Sequence, residues 1–426
     1  MRWRNWSGTV TAAPRRIVDC RTVEDVVVAV REVADRGGTL RPVGAGHSFT
    51  PLCATDDTLL RVDGLTGVVA TADGRVRVRA GTRLRDLGRA LAERGLAPIN
   101  LGDIDRQTLA GATATGTHGT GARLGTLSSQ LTALRLVLPS GEVVRCDPQV
   151  EPDLFDAARV GLGALGVVVE AELAVLPGYR LHTLVRHADL DEVLADLDGL
   201  LHRHRHVEFY WFPYGTHVQL KIADPTDAPE AHSGWEQFNE VVLENGALWA
   251  ISELCRLVPP LTRPVARNLG RLVARRERVA AAHRAFATPR WVRFVEMEYA
   301  VPRPAFTAVL EGIREVIVRS RPAVHFPIEC RFVAADDAWL SPAYGRDSAY
   351  IAVHQYRGMS YEAYFRAVEE VLVSHGGRPH WGKLHRRRAE DLASSYPAWE
   401  RWLDVRGRVD PRGALLNPHL RRLFGL

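Results

Sequence analysis

The chain has 426 residues, 46 % of them hydrophobic and 25 % charged, the balance of a globular protein with room for two or three domains, which excludes a disordered, collagenous or coiled-coil chain. Net charge is only +5 at pH 7, and the basic residues are spread along the chain outside Arg263 to Arg284, so no nucleic-acid-binding stripe is expected. The N-terminus runs straight into polar sequence and the most apolar stretch, Gly161 to Leu176, is interrupted by Glu170 and Glu172, so neither a signal peptide nor a membrane span is expected.

In chain order, the first element is a helix over Thr22 to Arg36. Val23, Val26, Val27, Val30 and Val33 recur at helical spacing, Thr22 and Asp25 can cap it, and Gly37-Gly38 stops it. Thr39 to Val43 reads as a strand feeding the loop Gly44-Ala45-Gly46-His47-Ser48, Arg75 to Ala80 as an alternating strand, and Thr82 to Glu93 as a capped helix. Strands follow at Leu134 to Leu138, Val143 to Cys146 and Val167 to Leu176, and Pro177-Gly178 is the expected domain boundary. Beyond it the pattern predicts a helix over Leu190 to His202, a strand near Val207 to Phe212, a polar loop from Asp224 to Gly234 and long helical segments through Phe286. Strands return at Val292 to Val301, Pro327 to Val333 and Ala349 to Tyr356, and the last forty or so residues read as helical and Arg-rich.

Gly161-Leu-Gly163-Ala-Leu-Gly166 matches GxGxxG, yet the context is inverted: a dinucleotide fingerprint needs a strand before it and a helix after. Here Asp153 to Val160 reads as helix and Val167 onward as strand, so a glycine turn packed against a ligand or neighbouring strand is expected. The five cysteines, at positions 20, 53, 146, 255 and 330, form no CxxC pair, which fits a reducing cytoplasm and no structural metal. His202, His204 and His206 alternate with arginines at a spacing that one strand face could use for a metal, but without a patterned carboxylate a solvated basic segment is the simpler reading. Arg263 to Arg284 reads as an amphipathic helix with a charged outer face.

Three segments carry more chemistry than a core needs. Gly44 to Phe49 sets an imidazole among turn glycines whose amides could line a phosphate, although an ordinary turn with one exposed histidine has the same composition. Thr113 to Gly121 is a run of small and hydroxyl residues with many NH and OH donors. His380-Trp381-Gly382-Lys383 places beside a histidine and an indole one of only two lysines among 55 basic residues, the other being Lys221. An ammonium kept in a chain that otherwise uses arginine points to a role for the compact charge. Glu329 and Arg331, two apart on a strand, share one face, where they can bracket a polyhydroxy substrate or form a surface ion pair; Cys330 between them should face the core.

Together these segments, with Trp3 to Gly8, Leu165 to Val168 and Leu340 to Asp347, resemble flavoproteins of the vanillyl-alcohol-oxidase type. Within that type they resemble the aldonolactone oxidoreductases (gulono-, galactono- and arabinono-1,4-lactone oxidases or dehydrogenases) and the alditol oxidases. The resemblance spans essentially the whole chain, and GxGHS and HWGK are its most specific parts. It implies an α+β fold: a two-subdomain FAD-binding domain of the PCMH type at 1–177, a substrate domain with a large antiparallel sheet flanked by helices at 178–390, and a C-terminal segment, 391–426, returning to the FAD domain. It implies FAD held by Val43, Gly44, Ala45, Gly46, His47 and Ser48 around the pyrophosphate, with Gly111, Thr113, Gly116, Thr117, His118, Gly119, Gly166, Val167, His380 and Asn417 near the rest, and a covalent bond from His47 to the flavin. Glu329, Arg331, Lys383 and His354 would form the catalytic ring. The implied reaction is hydride transfer from an aldono-1,4-lactone, giving a 2-keto lactone, with oxygen or another acceptor reoxidising the flavin. The alternatives are an alditol oxidase acting on xylitol or sorbitol and a tailoring oxidase of a sugar-like or cyclitol alcohol.

Overall fold

The computed structural model describes residues 2–231, 244–286 and 292–426. The first helix, Val23–Asp35, carries the reciprocal cap: Thr22 Oγ1 accepts from the Asp25 amide at 3.1 Å and Asp25 accepts from the Thr22 amide at 2.9 Å. Its valine face packs on a three-stranded parallel sheet in which Thr58–Arg61 lies between Arg16–Asp19 and Leu40–Val43. A six-stranded antiparallel sheet follows, with Val167–Pro177 pairing Leu131–Val137, Arg75–Arg79 and Leu96–Pro98. The chain leaves that sheet at Pro177 and enters a second one at Arg180.

The second sheet has eight antiparallel strands in the order Arg276–Ala281, Arg180–Asp189, His217–Thr226, His206–Trp211, Ile328–Val333, Ser348–Tyr356, Phe294–Pro302 and Arg378–Pro379. Its central strands Ile328–Val333 and Ser348–Tyr356 are buried throughout. One face packs on the helices Phe306–Ser320 and Glu362–Ser374, a core that includes Cys330, so Glu329 and Arg331 on the alternate positions face the other way, toward the N-terminal half of the chain. The tail forms three helices, Ala389–Ser395, Trp399–Val409 and Pro418–Phe424. Trp402 and Phe424 stack in the N-terminal core with centroids 4.4 Å apart.

Several expectations are corrected. The helix over Leu190 to His202 is two helices, Leu190–Ala195 and Leu197–Arg203, because Asp196 at φ −109°, ψ 17° breaks the run. The expected loop from Asp224 begins as strand: His217–Thr226 continues to Thr226, where Asp224 to Thr226 pair with Arg180 to His182, and 232–234 lie outside the described residues. Arg263 to Arg284 is not one helix. It contains the helix Thr262–Leu269, then the edge strand Arg276–Ala281 and the short helix Ala282–Phe286; an edge strand tolerates outward arginines as readily as a helix face does. The GxGxxG segment is a turn between the helix Pro152–Ala158 and the strand Val167–Pro177, with Leu162 at φ +52° and Gly163 at φ +64°. Among the described residues no helix is long and apolar enough to cross a membrane.

Candidate active site

A cleft lies between the three-stranded sheet and the glycine turn. The loop 43–48, which leaves the strand Leu40–Val43, forms one wall; Thr108, Gly111 and Thr115 form a second; and the turn from Gly161 to Val168 forms a third. The glycines are there because the backbone must come close: a Cβ at Gly44 would collide with Thr108 Oγ1, and Gly46 sits at φ +66°. Arg41, fully buried below, ties the walls together by donating to Leu52 O and Gly163 O, each at 2.8 Å, to Leu162 O at 2.6 Å and to Leu415 O. Burial pulls its pKa down to about 10.

Of the residues the sequence assigned to FAD, Val43, Gly44, Ala45, Gly46, His47, Ser48, Gly111, Gly166 and Val167 line this cleft. The others stand elsewhere. Thr113 closes its own helix, donating to Leu109 O at 3.1 Å while its carbonyl accepts from Ser128 at 2.7 Å, and Gly116 packs on Pro342. Thr117, His118 and Gly119 lead the chain from the cleft to the large sheet, where Thr120 Oγ1 accepts from the Phe332 amide at 3.3 Å. The amide of Asn417 is spent on Pro51, Leu52 and Ala54 carbonyls at 2.8, 3.2 and 2.8 Å, so it braces the cleft floor from behind. His380 accepts from the Gly382 amide at 3.0 Å and stands 5.9 Å, ring to ring, from His118.

His47 stacks on Trp6 at 5.7 Å. Burial first, then the charges of Arg83, Lys383 and Arg106, hold its pKa down to about 4, so the imidazole is neutral and nucleophilic at neutral pH.

Beside this cleft the sheet presents a buried polar face. Arg331 donates to Glu298 at 2.9 Å and its Nε stands 3.4 Å from Glu329. His354 lies 3.5 Å from Glu296 and 3.9 Å from Glu329, and Lys383 pairs with Glu296. His118 stacks on Tyr350 at 3.6 Å and points Nε2 at Glu298, 3.2 Å away. Thus Glu329, Arg331, His354 and Lys383 do come together. The face adjoins the cleft, since Lys383 Nζ lies 5.3 Å from the Phe49 ring and the Phe49 amide donates to Gly382 O at 2.7 Å.

The sequence reading missed half of this face. Glu296 and Glu298 alternate on Phe294–Pro302, Glu208 and Tyr210 on His206–Trp211, and Lys221 joins from His217–Thr226. Asp103 comes from a loop of the N-terminal half. The available signal was the one used for Glu329 and Arg331: ionisable residues two apart in an otherwise apolar strand, together with the other rare lysine. Burial disfavours every one of these charges, and partners decide the outcome. Glu296 is held low by Lys383 and His354, Glu298 by His118 and Arg331, and Lys221 is raised by Glu208 and Asp103. His202, His204 and His206 do not converge on a metal: His204 pairs with Asp224 at 2.6 Å, His206 Nδ1 donates to Thr120 O at 2.7 Å, and His202 is exposed.

A family model described as D-arabinono-1,4-lactone oxidase matches residues 171–423, and one described as FAD binding domain matches residues 14–147. The chain belongs to the aldonolactone oxidase and dehydrogenase family. It is 41 % identical over 426 residues to an L-gulono-1,4-lactone dehydrogenase of Mycobacterium tuberculosis, covering 99 % of each chain. It is 33 % identical over 433 residues to an L-gulonolactone oxidase of Scyliorhinus torazame, covering 99 % of this chain and 98 % of that one. A solved cholesterol oxidase from Brevibacterium sterolicum shares the fold with a TM-score of 0.84 at 16 % identity, over 99 % of this chain and 96 % of that one. A member of this family is an FAD-dependent oxidoreductase acting on CH–OH groups, and the cleft fits the cofactor: its glycine walls leave the backbone bare, and Thr108 Oγ1 is buried there without a hydrogen-bond partner.

Proposed function

We propose that this enzyme oxidises an aldono-1,4-lactone at the carbinol next to the lactone carbonyl, giving a 2-keto lactone that enolises to an ascorbate-type enediol, and that its FAD is attached through His47. The observation that carries this reading is the buried ring of opposed charges, Glu329, Arg331, Glu298, Glu296 and Lys383, opening beside the His47 loop. A lactone bearing several hydroxyls is neutral and offers both donors and acceptors, which such a ring can pair without burying an extra charge. In this reading residues 1–177 hold the cofactor, 178–390 form the substrate wall, and 391–426 brace the cofactor cleft through Leu415 and Asn417.

Bound FAD supplies the acceptor for the hydride of the carbinol carbon. The protein's own groups do the rest: Glu329 accepts a hydrogen bond from a substrate hydroxyl, while Arg331 and Lys383 lower the energy of the alkoxide as the hydroxyl loses its proton. His354 Nδ1 faces the Pro327 carbonyl at 3.2 Å, which leaves Nε2 turned into the ring. The named relatives act on lactones, which favours a lactone over an open-chain polyol here.

The test is anaerobic mixing of the purified yellow protein with gulono-, galactono- and arabinono-1,4-lactones and with xylitol and sorbitol, following loss of flavin absorbance. Bleaching by at least one lactone, well ahead of both polyols, is expected. Faster bleaching by the polyols would overturn the lactone reading.

A further inference from the structure

Tyr210 stands between two carboxylates. Its hydroxyl lies 2.9 Å from Glu329 Oε1 and 3.0 Å from Asp103 Oδ2. A phenol carries one proton, and an ionised carboxylate can only accept. With both carboxylates ionised, one of these two short contacts would set lone pair against lone pair between a half-buried phenol and carboxylates that are 7 % (Asp103) and 2 % (Glu329) exposed. The geometry is satisfied when the two carboxyls share one additional proton, so that each contact contains a hydrogen.

Charged groups surround the trio. Glu329 has Arg331 at 3.4 Å and His354 at 3.9 Å. Glu208 stands within 4.8 Å of both Asp103 and Glu329, and Lys221 lies 2.8 Å from Glu208 and 4.0 Å from Asp103. Lys221, with 15 % of its side chain exposed, marks the end of this chain of groups that is more open to solvent.

We propose that Tyr210 relays the substrate hydroxyl proton from Glu329 to Asp103, which releases a proton toward solvent beside Lys221. As the carbinol hydride leaves to the bound cofactor, the substrate O–H bond breaks and its proton joins Glu329. The carboxyl pair then holds one proton too many, Asp103 gives one up to water, and the phenol ends with the single proton it began with. The relay rests on the reading of Glu329 as a residue facing the substrate. Tyr210 and Asp103 are positioning residues in this scheme, since they act through Glu329.

The experiment uses the flavin-loaded protein. Tyr210→Phe removes one oxygen and keeps the ring, so anaerobic flavin reduction by the best lactone should slow roughly ten- to a hundred-fold at neutral pH with little change in half-saturation, and the loss should shrink as pH rises. Independently of turnover, infrared spectra of the substrate-free protein at pH 7 should show a protonated carboxyl stretch that disappears in Asp103→Asn or Glu329→Gln and persists in Glu208→Gln. A band kept in both of the first two variants, or wild-type reduction in Tyr210→Phe, overturns the relay. So does a solvent isotope effect on reduction that survives in Tyr210→Phe and vanishes in His354→Gln, which would route the proton through His354. Slow Glu329→Gln with wild-type Tyr210→Phe removes the relay alone, whereas wild-type reduction in Glu329→Gln removes the substrate reading and the relay with it.

Discussion

Arg331 donates to Glu298 at 2.9 Å across two strands of the large sheet, and both side chains are buried. The pair is held on two sides, because His118 faces the same carboxylate and Glu329 faces the same guanidinium. A cation so placed cannot relax when charge develops near it, which is the condition for a large electrostatic contribution to a reaction.

It follows that Arg331→Ala should slow anaerobic flavin reduction by roughly thirty- to a thousand-fold, the kinetic equivalent of about 2–4 kcal/mol. Glu329→Gln should raise the half-saturating lactone concentration more than Arg331→Ala does. Stopped-flow bleaching across substrate concentration separates the two effects. Unchanged rate and saturation in both variants would make the pair purely structural.

Lys383 pairs with Glu296 and lies against the Phe49 ring. Lys383→Arg keeps the charge but brings a longer, planar group into a place fitted to an ammonium. Turnover should fall at least ten-fold while flavin content stays constant, measured by steady-state kinetics alongside the ratio of flavin to protein absorbance.

His47 is neutral, half-buried and at the wall of the cleft. Acid-precipitated wild-type protein should keep its flavin fluorescence in the pellet, and His47→Ala should release the flavin to the supernatant. A colourless wild-type pellet would show that the cofactor is held without a bond.

Burial lowers His206, His325 and His419 to about 4 and His380 and His385 to about 3. An unfolded histidine takes its proton near pH 6.5, so between pH 6.5 and 4 the unfolded state binds more protons and stability falls with acidification. Each such group costs roughly 1 kcal/mol at pH 5.5. The thermal midpoint should therefore be lower at pH 5.5 than at pH 7.5 in matched ionic strength; a midpoint that rises on acidification would contradict this.

Much of the molecule is written in local pattern. The capped helix Val23–Asp35, the glycine loop before His47, the inverted GxGxxG and the alternation of Glu329, Cys330 and Arg331 are short-range features, because caps, turns and strand faces are decided by residues within a few positions of one another. The same locality explains the errors. Arg276–Ala281 is a strand because Arg180–Asp189 offers it an edge to pair with, and no periodicity within the segment announces a partner almost a hundred residues away.

The pairing of charges within the polar face was decided by tertiary structure. Glu296, Lys383, His354, Glu298, Arg331, His118, Tyr210 and Asp103 come from distant stretches of chain, and each by itself would be a costly buried charge or an ordinary tyrosine or histidine. Register sets Tyr210 opposite Glu329, and strand order lets Glu298 and Arg331 meet across the intervening strand Ser348–Tyr356. In a medium of low polarity it is that proximity, absent from the linear sequence, that turns unfavourable burial into paired charge and leaves one phenol bridging two carboxyls.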